Sequence, residues 1–163
     1  MDGDTTRPRD ATRWIETSRG ILSYTELAPL LAERVLSLQQ RLESGMFANH
    51  PLNDVLILRL HRDFCGDLVP TWASRWRAVA VSVGRHKPPA PHLVPILMRD
   101  YADNLQARLT AKPTDLDLLP EHLAYAEGRL HTIHPFQDFN GRLARLWLWE
   151  LLRRLDLPPV DLV

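Results

Sequence analysis

The sequence has little that would support a disulfide-bonded, membrane-spanning or strongly basic protein. Its 163 residues include a single cysteine, Cys65, which cannot form a disulfide within the chain. Charged residues interrupt every leucine-rich stretch, so no apolar run approaches the roughly 20 residues that a membrane-spanning helix needs. Twenty Lys and Arg balance twenty Asp and Glu, which leaves no general basic surface for a nucleic-acid backbone or an anionic membrane. We therefore expect no nucleic-acid partner and no membrane contact.

The N-terminus also lacks a secretory signal. Met1-Asp2-Gly3-Asp4 has neither the basic nor the apolar region of such a signal, and a lone cysteine suits a reducing compartment. We expect a cytoplasmic protein. Export as an effector is left open, because some secretion routes read addresses that composition does not reveal.

Apolar residues at helical spacing predict a mainly α-helical chain. Ser23 and Glu26 have the spacing of a capping box, and apolar residues recur behind them at three- and four-residue steps until Gly45. Similar patterns predict later helices at about 52–64, 94–109, 120–133 and 140–155. The chain then divides into an N-terminal tail, 1–22, and one compact domain, 23–163.

The pattern changes between the second and third of these helices. Three valines alternate with small or polar residues from Val79 to Val83, and a proline-rich stretch follows. Alternation predicts a strand, and prolines are typical of a return edge that cannot pair further. We expect a small β-hairpin flap over 79–92, preceded by a short helix around Trp72 and Trp76.

The segment from His134 to Arg145 contains the most reactive combination of residues. It joins two predicted helices through a loop that carries a histidine and an acid, Asp138. A helix that begins at Asn140 directs unpaired backbone N–H groups at this loop, and Arg142 shares a helix face with Arg145, so a polyphosphate fits there. Asp138 offers a hard oxygen ligand for Mg²⁺, and His134 can accept a proton near neutral pH. The set favours phosphoryl or nucleotidyl transfer, with an ordinary helix connection and solvated arginines as the alternative.

Together these residues resemble the signature of the Fic family, His-x-Phe-x-Asp/Glu-Gly-Asn-Gly/Lys-Arg-x-x-Arg. The matching positions are His134, Phe136, Asp138, Asn140, Gly141, Arg142 and Arg145. Upstream, Trp76-Arg77, the alternating valines, the proline-rich return and the helix after it resemble the flap region of the family. The resemblance runs from about Ser23 onward, and it implies a Fic-like helical domain with a small β-hairpin flap.

The resemblance implies a protein adenylyltransferase, which transfers AMP from ATP to a Ser, Thr or Tyr hydroxyl of a target protein. It assigns the general base to His134 and the Mg²⁺ ligand to Asp138. The nucleotide-binding residues that it implies are Asn140, Gly141, Arg142 and Arg145. An extended segment of the target would dock on the flap, 79–92. Gly at position 141, where the related Doc-like kinases have Lys, favours AMP transfer, and a homodimer is left open because some relatives form one.

One position departs from the family signature. Phe139 stands where the family usually has Gly, which allows positive φ or a close backbone approach to phosphate. The sequence leaves three interpretations of this ring open. It alters phosphate placement, it changes the preferred nucleotide, or it points into the core. The alternatives to AMP transfer from ATP are a non-catalytic nucleotide- or partner-binding module, another nucleotide donor, or removal of AMP.

A second pattern resembles the inhibitory helix of many Fic proteins, Ser/Thr-x-x-x-Glu-Gly/Asn. Residues 12–17 match it, except that Thr17 replaces the Gly or Asn. The resemblance implies that Glu16 pairs with Arg145 and blocks the γ-phosphate, since one guanidinium cannot bind a carboxylate and a phosphate in the same geometry. On that interpretation Glu16→Gly raises labelling. The alternative is an ordinary solvated glutamate.

The remaining candidates have simple structural interpretations. His122 and His131 lie near the motif histidine, but no companion ligand has the spacing of a zinc site. Trp147 and Trp149 recur among leucines at helical spacing, so we expect core and flank positions rather than a surface for stacking bases. Cys65 is expected to be a buried small hydrophobe.

Overall fold

Five α-helices and one β-hairpin make up the part of the chain that the computed structural model describes, residues 13–111, 117–158 and 160. The helices are α1 (Tyr24–Glu43), α2 (Asp54–Cys65), α3 (Val94–Ala111), α4 (Leu119–Ile133) and α5 (Asn140–Arg154). The antiparallel strands β1 (Trp14–Thr17) and β2 (Gly20–Ser23) precede them. The prediction of a mainly α-helical protein is confirmed. None of the described helices combines the length and apolar character that crossing a membrane requires.

The helix starts follow the capping signals in the sequence. The Ser23 hydroxyl accepts the Glu26 N–H at 3.2 Å, and the Glu26 carboxylate accepts the Ser23 N–H at 2.8 Å, so the predicted capping box opens α1. The Asn53 side chain opens α2 by accepting the Leu56 N–H at 3.0 Å. The other three predicted long helices form within a few residues of their expected bounds.

Helix α5 packs against α1, α2 and α4, which places its start at a fixed point of the domain. Trp147 on this helix is fully buried, and its Nε1 donates to the Tyr101 hydroxyl at 2.9 Å. That hydroxyl donates in turn to the Ala126 carbonyl at 2.7 Å, which connects α5, α3 and α4. Trp147 therefore belongs to the core, Trp149 flanks it, and Cys65 is buried, all as predicted.

The N-terminal segment is a β-hairpin, so the predicted inhibitory helix is wrong. Ile15 points inward while Trp14 and Glu16 are exposed, which is the alternation of a strand. Gly20 begins the return strand with φ of +100°, a conformation that suits a turn between strands. Thr12 and the rest of the predicted tail before it lie outside the described residues.

Two further elements differ from prediction. The prediction of a short helix around Trp72 and Trp76 is wrong. This segment forms turns, and Ser74 within it has φ of +58°. The flap, 79–92, is smaller than expected and contains one antiparallel bridge, between Val83 and His86. No other flap residue belongs to a strand or bridge in the part of the chain described here. The flap is therefore an irregular loop closed by one bridge rather than a regular two-stranded hairpin.

Candidate active site

His134 lies where α4 ends and the loop to α5 begins. Its backbone is left-handed, with φ of 50° and ψ of 64°, and its N–H donates to the Leu130 carbonyl at 2.9 Å. Burial lowers the pKa of His134 to about 4. The neighbouring charges that lower this pKa further are those of His131, Arg77, His86 and Arg13. The half-buried ring is therefore neutral at neutral pH and can accept a proton.

Asn140 holds the loop between His134 and α5 in one conformation. Its side-chain oxygen accepts the Phe136 N–H, and its side-chain nitrogen donates to the Phe136 carbonyl, both at 2.9 Å. The residue is buried, and each side-chain polar atom already has a backbone partner. What Asn140 offers a phosphate is consequently its backbone N–H.

His61, on α2, supports the same loop from behind. Its ring stacks on the ring of Phe136, with centroids 3.8 Å apart and planes 6° from parallel. Its Nδ1 accepts the Ser74 N–H at 3.1 Å, and its Nε2 lies 3.6 Å from the Sγ of Cys65. Burial lowers the pKa of His61 to about 4, which keeps the ring neutral, with one nitrogen accepting and the other donating. Sequence reasoning missed this residue, and its position after a leucine in a deeply buried helix was the only signal.

The start of α5 presents unpaired backbone donors. No side chain caps the helix, and the first backbone bond runs from the Leu143 N–H to the Phe139 carbonyl at 3.1 Å. The N–H groups of residues 140–142 therefore have no acceptor within the helix. A Cβ placed on Gly141 would meet no atom within 4 Å, so the space beside this residue is open. The arrangement suits an anion.

Phe139 adopts the backbone conformation for which the family signature has glycine. Its φ is 64° and its ψ is 15°. The side chain is 3% exposed and packs against Phe64, at 6.0 Å between ring centroids, and Trp72, at 5.3 Å. Of the three interpretations that the sequence left open, the ring follows the last and points into the core.

Asp138 lies beside the start of α5. Its Oδ1 accepts the Phe139 N–H at 2.7 Å, and its Oδ2 forms an ion pair with Arg13 of the N-terminal hairpin. Burial raises the pKa of Asp138, while the charges of Arg13 and Arg142 oppose that rise. Within the described ranges, no group of three or more His, Cys, Asp or Glu is placed to hold a metal ion. A lone carboxylate next to an uncapped helix start fits Mg²⁺, which commonly takes one or two carboxylates and completes its shell with phosphate and water.

The two motif arginines have different surroundings. Arg142 donates to the Tyr24 hydroxyl, with its guanidinium 5.4 Å from the centre of that ring, and Arg13 lies 5.9 Å from the same ring. Arg145 is exposed and forms no hydrogen bond or ion pair with the described residues. Glu16, predicted to pair with Arg145, instead lines a polar cavity of about 240 Å³ together with Arg13. The predicted inhibitory pair is not formed.

Comparison with known proteins relates this geometry to a family. The Fic/DOC family model matches residues 51–152. The chain is 39% identical over 108 residues to protein adenylyltransferase fic-1 of Caenorhabditis elegans, covering 65% of this chain and 20% of that protein. It is 38% identical over 104 residues to protein adenylyltransferase Fic of Nematostella vectensis, covering 64% and 23%. The chain thus spans about a fifth of the length of these curated relatives.

Solved structures share the fold. BepC from Bartonella tribocorum, a VirB-translocated effector with bound AMPPNP, superposes with a TM-score of 0.70 at 14% identity, covering 88% of this chain and 75% of that one. Fic-1 from C. elegans superposes with a TM-score of 0.57 at 28% identity, covering 78% and 37%. Since the family model matches more than half of the chain, including the whole segment from His134 to Arg145, this protein belongs to the Fic/DOC family.

Proposed function

We propose that this protein is a protein adenylyltransferase that transfers AMP from ATP to a hydroxyl side chain of another protein. One observation carries the proposal: a neutral, half-buried imidazole at the end of α4 precedes, by one short loop, the uncapped start of α5. The names of the relatives from C. elegans and N. vectensis support the same reaction. The alternative, a non-catalytic binding module, depends on the Phe139 ring blocking the phosphate site. That ring lies in the core instead.

The start of α5 binds the triphosphate of ATP. The N–H groups of residues 140–142 donate to phosphate oxygens, and the positive end of the helix dipole strengthens their attraction. Arg142 and Arg145 share a face of the first turns and bind the outer phosphates, with Arg145 having no competing partner among the described residues. Asp138 would hold Mg²⁺, which neutralises phosphate charge when it is bound.

His134 acts as the general base. It takes the proton of the target hydroxyl while the hydroxyl oxygen forms a bond to the α-phosphorus. The bond between that phosphorus and the bridging oxygen breaks, and pyrophosphate leaves. The lowered pKa of His134 keeps its ring unprotonated before transfer, so that the ring has a lone pair for the hydroxyl proton.

The flap holds the target segment. Val79 and Val83 are 47% and 44% exposed, and the bridge between Val83 and His86 is the one backbone pairing assigned to the flap among the described residues. An extended segment that adds a strand here would bring one of its side chains toward His134. The flap lies close enough for this, because the His86 ring is 2.9 Å from the carbonyl of Thr132 at the end of α4.

The reaction can be tested with ATP labelled at the α- or the γ-phosphorus. The purified chain, with Mg²⁺ and a soluble protein extract as the source of acceptors, should incorporate the α-label and not the γ-label. His134→Ala should abolish incorporation, whereas His131→Ala, which removes a neighbouring exposed ring, should retain it. Incorporation of the γ-label would show phosphoryl transfer instead. Tight nucleotide binding without any incorporation would favour a binding module.

A further inference from the structure

Arg77 is a buried arginine whose side chain bonds only to backbone carbonyls in the described part of the chain. It is 3% exposed, and none of its partners is a carboxylate. The acceptors are the carbonyl oxygens of Pro89 at 2.6 Å, His134 at 2.7 Å, Val79 at 3.1 Å and Ile133 at 3.2 Å. A buried charge is costly unless its donors are satisfied, and here each side-chain nitrogen has an acceptor.

These acceptors belong to two parts of the protein that must act together. Val79 and Pro89 lie near the two ends of the flap, while Ile133 and His134 form the end of α4. A guanidinium presents its donors in one rigid plane, so a shift of the flap relative to His134 would bend or break several charge-assisted bonds at once. The backbone N–H of Arg77 adds a further bond, to the Pro135 carbonyl at 2.9 Å.

The charge of Arg77 also acts on the imidazole. It lowers the pKa of His134, in addition to burial and the charges of His131, His86 and Arg13. Burial lowers the pKa of Arg77 itself, but the carbonyls at the C-terminal end of α4 stabilise the positive charge.

We propose that Arg77 is a positioning residue that couples the flap to His134, so that a hydroxyl docked on the flap meets its base at a fixed distance. The inference rests on the proposed function in one respect, because it takes the flap to be where the target docks. Arg77 acts through the backbone of His134 and of the flap.

The kinetic test compares Arg77→Lys and Arg77→Met with the same substitutions of Arg75, which is exposed. Lysine keeps the charge but cannot bond four carbonyls in one plane. Arg77→Lys should lower kcat for target labelling by about 10- to 100-fold, the effect of a misplacement of about 1 Å, while the KM for ATP stays near the wild-type value. The Arg75 variants should match the wild type. Wild-type kcat in Arg77→Lys, or a KM for ATP that rises as much as kcat falls, would overturn the proposal.

A second set of measurements does not need activity. Amide hydrogen exchange at Val83 and His86 should be faster in Arg77→Lys than in the wild type. The pKa of His134, followed by NMR of its ring, should rise in Arg77→Met and change little in Arg77→Lys, which keeps the charge. In the wild type the Arg77 Nε–H should exchange slowly, so this readout remains if a variant fails to fold.

These results separate the two proposals. Unchanged exchange in the flap of Arg77→Lys, or rapid exchange of the wild-type Nε–H, would refute the coupling whatever the activity. The expected exchange and titration changes in a chain that labels nothing would refute the adenylyltransferase function and leave the coupling in place.

Discussion

Replacing Phe139 with glycine should destabilise this protein less than replacing it with alanine. Both variants lose the ring that packs on Phe64 and Trp72, a loss of about 3–5 kcal/mol for a buried phenylalanine. They differ in the backbone, because φ is 64° at this position. The left-handed region costs a residue with a Cβ about 1–2 kcal/mol. Glycine avoids that cost but loses about 0.4–1 kcal/mol more chain entropy on folding, and it also suits the N-cap position better than alanine. The net difference is about 1 kcal/mol in favour of glycine.

Urea unfolding of the two variants measures this difference directly. The matched control is Phe64, which is buried inside α2 with helical backbone, so there the alanine variant should be the more stable by about 1 kcal/mol. An alanine variant at position 139 that is as stable as the glycine variant, or more so, would refute the assigned backbone conformation. Phe139→Gly should also retain labelling, because it restores the residue of the family signature.

Three other substitutions test separate parts of the site. The free energy of unfolding should fall as the pH falls from 6.5 to about 4, because unfolding lets His61 take up a proton over this range. Urea titrations of His61→Gln should show a free energy of unfolding that depends less on pH. Arg13→Ala should lower the Mg²⁺ concentration needed for half-maximal labelling, because it removes the cation paired with Asp138; an unchanged requirement would show that Arg13 and Mg²⁺ do not compete. Glu16→Gly should leave labelling unchanged, because Glu16 does not pair with Arg145, and an increase would restore the inhibitory interpretation.

Local signals predicted the helical framework well. A capping box such as that at Ser23, and the three- and four-residue spacing of apolar side chains, each involve residues that are close in sequence. The sequence alone therefore locates α1 and the other long helices. The N-terminal hairpin was missed because residues 12–17 match a short pattern that contains no information on burial. The alternation around Ile15 and the turn glycine, Gly20, were the stronger local evidence.

The site was predictable where its residues are neighbours in sequence. His134, Asp138 and the start of α5 lie within one short segment, so their types and spacing predict an anion site next to a base. The direction of the Phe139 ring depends on Phe64 and on a turn that contains Trp72, neither of which is local to the motif.

The support from Arg77 and His61 could not be predicted for the same reason. Arg77 bonds to a carbonyl 57 residues away, and His61 stacks on a ring from another part of the chain. Such contacts depend on how the helices pack, which capping and periodicity do not determine.

A crystal structure of the chain with Mg²⁺ and a non-hydrolysable ATP analogue would show whether the triphosphate binds at the start of α5. We expect phosphate oxygens on the N–H groups of residues 140–142, the α-phosphorus beside the ring of His134, and the ring of Phe139 still in the core. A nucleotide bound elsewhere, or a phosphate site closed by that ring, would contradict this expectation.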